Sequence, residues 1–348
     1  MASSHPHRIP AGIVPTNSTL IELANGAIKI PPIGVGIWAW GDSSTWGYDS
    51  YDAELSEKTC KDAFDAALED FPNTVFFDTA EVYGTGESEK ILGRCLPSAS
   101  EKSTTLSIAT KYMPFPFRGS YPDVMVSALR ASLERLGVMQ VDLYQIHGPV
   151  HSPLVSLETL ADSLAECVKL GLTKTVGVSN YSLDQVKRVH ARLATHNVPL
   201  ASNQIELSLL RTKPITSGLL QGCLDLGVAV IAYSPLAMGR LSGKYSASNP
   251  PKGGRKFGNV GWDKVDPLVT AMKRIGGSHG GKTPAQVALN WIVCKGAIPI
   301  PGAKNLVQAH ANSAAIGWRL TDAEVAELDS LAVEGEPTLF NKLVWQHG

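Results

Sequence analysis

Val75-Phe76-Phe77-Asp78-Thr79-Ala80-Glu81-Val82-Tyr83-Gly84 is an apolar, strand-length run that ends on a carboxylate and reaches a phenol shortly after. Working outward, the next run of this kind spans 106–111 and closes on Lys111, and the one after spans 141–147 and closes on His147. These runs lack polar/apolar alternation, which predicts strands buried on both faces of a parallel sheet. Similar runs occupy 33–38, 175–179, 201–205, 228–233 and 297–300. Between them lie helical patterns such as 124–136 and 157–170, with apolar residues near i, i+3, i+4 and i+7. A further helix follows Asn180, with Ser182 as its N-cap. Eight strand–helix units predict an α/β fold closed into a (β/α)8 TIM barrel.

Three segments exceed the repeat. Residues 20–23 and 27–30 flank Asn25-Gly26 and predict a β-hairpin that caps the N-terminal mouth of the barrel. Residues 236–264, after the seventh strand, are rich in Gly, Pro and Lys and too long for an ordinary connection, so they are a candidate lid leading into extra helical structure. Thr321-Asp322-Ala323-Glu324 is a capping-box pattern that starts an extra C-terminal helix over 320–331. The expected organisation is a mobile tail over 1–19 and a single domain over 20–348.

The 348 residues are 44% hydrophobic and 18% charged, with a formal net charge of −1. That supplies ample core material and no basic field for nucleic acid or an anionic membrane. Cys60, Cys95, Cys167, Cys223 and Cys294 are scattered, with no CxxC pair, which fits a reducing compartment and no metal site. The tail has neither the apolar core of a secretory signal nor the Arg content of a transit peptide, so a cytoplasmic location is expected.

In a barrel, function sits at the C-terminal ends of the strands. Asp78, Lys111, His147, Ser179, Asn180, Gln204, Tyr233 and Gly302 all fall there. A phenol is a weak acid near pH 7. Lys111 beside Tyr83 is expected to lower its pKa, Asp78 to hold Lys111 charged, and His147 to steer a substrate oxygen or share the proton. Each residue alone reads as an ordinary strand-end polar group; their convergence on one mouth argues for proton transfer to a polarised oxygen. The electron source must come from elsewhere.

FDTAEVYG (77–84), GVSNY (177–181), SNQIEL (202–207), AYSPLAMGRLSGKY (232–245) and IPGAKN (300–305) occur in the order in which they occur in the aldo-keto reductase family, which this chain resembles over about residues 33–331. GIWAWGD (36–42) and GWRL (317–320) resemble a plant-type branch that includes pyridoxal reductases. The resemblance implies Tyr83, Asp78, Lys111 and His147 as the catalytic tetrad of an NADP-dependent oxidoreductase, with NADPH as cofactor and a small carbonyl compound as substrate. It also implies that Ser179, Asn180 and Gln204 bond the nicotinamide carboxamide and that Tyr233 lies under the ring. Gly36 and Ile37 would line the groove, and Ser234, Leu236, Gly239 and Lys244 would cover the pyrophosphate. Gly302, Lys304, Gln308 and Asn312 would hold the adenosine end, with Lys304 on a 2′-phosphate. Gly148 stands where many members carry a bulky residue, which implies a wider pocket, and Trp38, Trp40, Trp46, Phe115 and Phe117 are candidates to line it.

Two rival readings are available. Gly276-Gly277-Ser278-His279-Gly280-Gly281-Lys282-Thr283 matches the phosphate-binding GxxxxGK[ST] pattern. Its flanks, however, predict helix–loop–helix with Thr283 as an N-cap and Pro284 at the first helical position, which is not the strand–loop–helix a nucleotide triphosphate site needs. Neither Gly34-Val35-Gly36 nor Gly84-Thr85-Gly86 opens a dinucleotide fingerprint helix, and Glu87 and Glu89 oppose an anion after the second. The other rival is a cofactor-binding redox sensor or regulatory subunit with little turnover.

Overall fold

The computed structural model describes residues 7–96, 104–149, 155–252 and 260–336. Strands β1 (Ile21–Leu23) and β2 (Ile28–Ile30) pair antiparallel, Ile21 opposite Ile30 and Leu23 opposite Ile28. Their buried isoleucines and Leu23 cover the start of the barrel, where Ser107 Oγ donates to Lys29 O at 3.3 Å. This is the hairpin cap expected from the sequence, with a turn that passes Ala24, Asn25 and Gly26 in left-handed conformation.

The barrel strands are β3 (Val35–Gly36), β4 (Thr74–Asp78), β5 (Thr105–Tyr112), β6 (Val141–Ile146), β7 (Thr173–Ser179), β8 (Leu200–Glu206), β9 (Ala229–Tyr233) and β10 (Ile298–Pro299). All pair in parallel in sequence order. β3 and β10 are shorter than the apolar runs that predicted them. Pro299 and Pro301 have no N–H to donate, and at the seam Gly34 N donates to Pro299 O at 2.9 Å and Gly36 N to Pro301 O at 3.0 Å. A Cβ on Gly36 would stand 2.7 Å from Ile300 O, so the barrel closes here because the backbone is bare.

The helices begin where the polar punctuation places them. Ser182, Thr283 and Thr321 each form capping boxes, with Gln185, Gln286 and Glu324. The glycine-rich 276–283 stretch ends helix Trp262–Ser278 and caps helix Pro284–Cys294, which rules out a strand–loop–helix phosphate site there. Of the segment expected as a mobile tail, residues 7–19 are bonded to the body. His7 Nε2 meets Leu224 O at 2.9 Å, Asn17 Nδ2 donates to Asp70 O at 2.8 Å, and Gly317 N donates to Pro15 O at 2.7 Å. His7 and Asn17 meet carbonyls in the last turns of helices Leu219–Asp225 and Glu57–Asp70, which have no partner within those helices. Among the described residues no helix is long and apolar enough to cross a membrane.

Candidate active site

Asp78 ends β4, Lys111 lies near the end of β5, and His147 follows β6 directly. Tyr83 opens the short turn Tyr83–Gly86, where Gly84 and Thr85 are left-handed and a Cβ on Gly84 would stand 2.6 Å from Gly41 O. Ser88 pins this turn, bonding Thr79 Oγ1 at 2.8 Å and donating to Ile37 O at 2.9 Å. The four side chains meet. Lys111 Nζ ion-pairs with Asp78 Oδ1, donates to Thr79 O at 2.8 Å and lies 3.4 Å from the Tyr83 hydroxyl. That hydroxyl also lies 3.4 Å from His147 Nε2.

A second tier holds Asp78. Its Oδ2 accepts from Gln204 Nε2 at 2.7 Å and Gln145 Nε2 at 3.3 Å, and Ser202 Oγ donates to Gln145 Oε1 at 3.2 Å. Sequence reasoning missed Gln145, although it sits two residues before His147, on the same strand face by the period of two. It also missed Glu81. That carboxylate accepts from Met113 N at 2.7 Å and Arg118 Nη1 at 2.5 Å, folding the loop after β5 back on itself.

The electrostatics differ from the expectation in one respect. Burial pushes the Tyr83 phenol well above its ordinary pKa, and the Asp78 charge adds to the rise. The pull of Lys111 toward the phenolate is outweighed, because Asp78 sits in contact with the ammonium and desolvation prevails. Burial also pulls the Lys111 ammonium down against the upward pull of Asp78. His147 is held well below the ordinary imidazole value by burial first and Lys111 second, so it is neutral at pH 7. Because the unfolded chain then binds the proton more readily, His147 should cost no stability above about pH 6.5 and a growing amount below it. Denaturation midpoints between about pH 8 and about pH 5 should fall on acidification, and the fall should be shallower in His147→Gln.

A cavity of about 730 Å³ opens above this cluster, with Asp78 and Tyr83 in its wall. That is within the range of roughly 300–1,000 Å³ usual for ligand sites. Gly36, Ile37, Gln204, Tyr233, Ser234 and Leu236 line one part, and Gly239, Lys244, Gly302, Lys304, Gln308 and Asn312 line another. Lys111, His147, Ser179 and Asn180 are not in the lining. Ser179 Oγ donates to Gln204 O at 2.8 Å, and Asn180 accepts from the Tyr233 hydroxyl at 2.8 Å while donating to His147 O at 3.1 Å. These two therefore orient Gln204 and Tyr233 from behind, and the Gln204 amide itself is turned to Asp78. Gly148 is buried and outside the lining, and residues 150–154 beside it lie outside the described residues.

Ser234, just before the expected lid, and Ala237 and Met238 at its start have φ of 48°, 49° and 54°. Left-handed non-glycine residues cost roughly 1–3 kcal/mol each and collect where a ligand is clamped. Residues 253–259 of that lid lie outside the described residues. Of the candidate aromatics, Trp38 and Trp46 line the cavity. Trp38 stacks on Tyr83 with centroids 6.0 Å apart and meets Trp46 edge-on at 5.5 Å. Trp40 is instead core, its Nε1 donating to Ala303 O at 2.8 Å, while Phe115 and Phe117 are exposed and outside the cavity lining, in the loop whose Met113 and Arg118 bond Glu81.

At the far end Asn305 caps helix Leu306–Ser313, and Gln308 Oε1 accepts from Lys304 N at 3.0 Å. Lys304 is no solvated loop charge. Its Nζ is 2.7 Å from Asp52 Oδ2 and 5.1 Å from the centre of the Trp46 ring.

The profile of the Aldo/keto reductase family matches residues 32–333. A chloroplastic pyridoxal reductase of Arabidopsis thaliana is 38% identical over 330 residues, covering 91% of this chain and 87% of that protein. Among solved structures, the glycerol dehydrogenase of Gluconobacter oxydans superposes with a TM-score of 0.74 at 26% identity, covering 92% of this chain and 98% of the other. An aldo-keto reductase solved with NADPH superposes at 0.70 and 27% identity, covering 93% and 90%.

Proposed function

Because the chain belongs to the aldo/keto reductase family, we propose that it is an NADPH-dependent reductase of aldehydes or ketones in which Tyr83 supplies the proton. The observation that carries this is the Tyr83 hydroxyl at 3.4 Å from both Lys111 Nζ and His147 Nε2 in the cavity wall. The cavity fits a dinucleotide: Tyr233 offers a flat ring, the left-handed loop a cover, and Lys304 with the start of helix Leu306–Ser313 a cationic end. Relatives solved with NADPH support that cofactor. Bound there, it supplies hydride to the carbonyl carbon.

The remaining work is done by this chain. A phenol held above its ordinary pKa is protonated at pH 7 and can donate to an oxygen as charge develops on it. Lys111 lies 4.9 Å from the Tyr83 ring centre and stabilises the phenolate left behind, with Asp78 holding it in place. Neutral His147 fixes the direction of the hydroxyl. Trp38 and Trp46 give the substrate an apolar wall and exclude water. Five free thiols support action in a reducing compartment, the cytoplasm in this reading.

Oxidation of NADPH should be seen with pyridoxal and with a plain aromatic aldehyde. A marked preference for pyridoxal supports the narrower reading of a pyridoxal reductase. Tight NADPH binding without turnover on any carbonyl would overturn the enzymatic reading in favour of a cofactor-bound sensor.

A further inference from the structure

Resting on the reading of Lys304 as the group that meets the 2′-phosphate, we propose that Asp52 is a specificity-determining residue that holds down the preference for NADPH over NADH. Asp52 reaches the adenosine end of the cavity from the loop after β3, far from Lys304 in sequence, and both side chains line the wall. The Nζ–Oδ2 contact of 2.7 Å leaves Lys304 only 12% and Asp52 22% exposed, so the ammonium is already neutralised in the free protein. A 2′-phosphate carries up to two negative charges. To gain Lys304 it must displace a carboxylate from it or accept that carboxylate as a close neighbour.

The 2′-hydroxyl of NADH carries no charge and meets no such penalty. A hydroxyl can also donate to a carboxylate, so the same Asp52 that opposes NADPH can receive NADH. Glu54 lines the same wall, and its N–H donates to Asp52 Oδ1 at 3.3 Å, which keeps the Asp52 carboxylate turned to this corner. Gln308 adds no compensating charge, its amide oxygen being spent on Lys304 N. Lys304 therefore faces a built-in competitor. A reduced preference for NADPH over NADH follows from that arrangement.

The test is calorimetric titration of the full-length protein with NADPH and with NADH, alongside thermal unfolding to verify that each variant is folded. Asp52→Asn should tighten NADPH by about fivefold or more, the size of one near-surface charge contact, with NADH unchanged or weaker. In Lys304→Ala the same Asp52→Asn change should shift the NADPH constant markedly less, because the pair has lost its other half. A ratio unmoved by Asp52→Asn, with Lys304→Ala still weakening NADPH alone, overturns the role of Asp52 and leaves the cofactor reading standing. Equal losses for both dinucleotides in Lys304→Ala overturn the placement of the 2′-phosphate and the proposal with it.

Discussion

Tyr83→Phe is expected to lower kcat for carbonyl reduction by about 10²–10⁴-fold while NADPH still binds. The substitution removes one oxygen and keeps the ring that stacks on Trp38, so the cavity wall retains its shape. What is lost is the hydroxyl between Lys111 and His147, with its protonated state and its aim. His147 is the natural substitute donor, but burial keeps its imidazole neutral and poorly matched to that task. Steady-state kinetics with parallel binding titrations separates the outcomes. Retention of more than about a tenth of wild-type kcat would place the proton elsewhere and sink the assignment.

The second large effect is on both stability and rate. Lys111→Met should destabilise the fold by about 3–5 kcal/mol, because it leaves a carboxylate at 3% exposure with only Gln204 and Gln145 to solvate it. Turnover should fall as well, since nothing remains to stabilise the phenolate. Adding Asp78→Asn should restore much of the stability, as the stranded charge is gone, and none of the activity. Denaturant midpoints for the two single variants and the pair decide this by a double-mutant cycle. A Lys111→Met protein as stable as wild type would show that the ion pair supports the site without supporting the fold.

Much of the barrel was legible because its signals are local. Unbroken apolar runs marked the strands, and Ser182, Thr283 and Thr321 marked helix starts with hydrogen bonds that close within three residues. The strand-end rule then brought Asp78, Lys111 and His147 to one mouth. It failed where contacts are distant. Trp40 looked like its neighbours Trp38 and Trp46, yet it meets Ala303 in the core. Ser179 and Asn180 sit at a strand end as expected, bonded there to Gln204, Tyr233 and His147 and outside the cavity lining. Gln145 and Glu81 carried readable positions and were passed over, since a polar residue beside a motif announces no partner.

The sequence by itself determined the number and order of strands, the caps, the hairpin and the succession of chemistry-bearing strand ends. Periodicity, proline, glycine and capping residues act over a few bonds, so they can be read without knowing the fold. Only the tertiary structure decided the Asp52–Lys304 pair, the two glutamines around Asp78, and the sign of the Tyr83 shift. A pKa sums burial and every nearby charge, and neither the dry interior around Tyr83 nor the contact that neutralises Lys111 exists until the barrel closes.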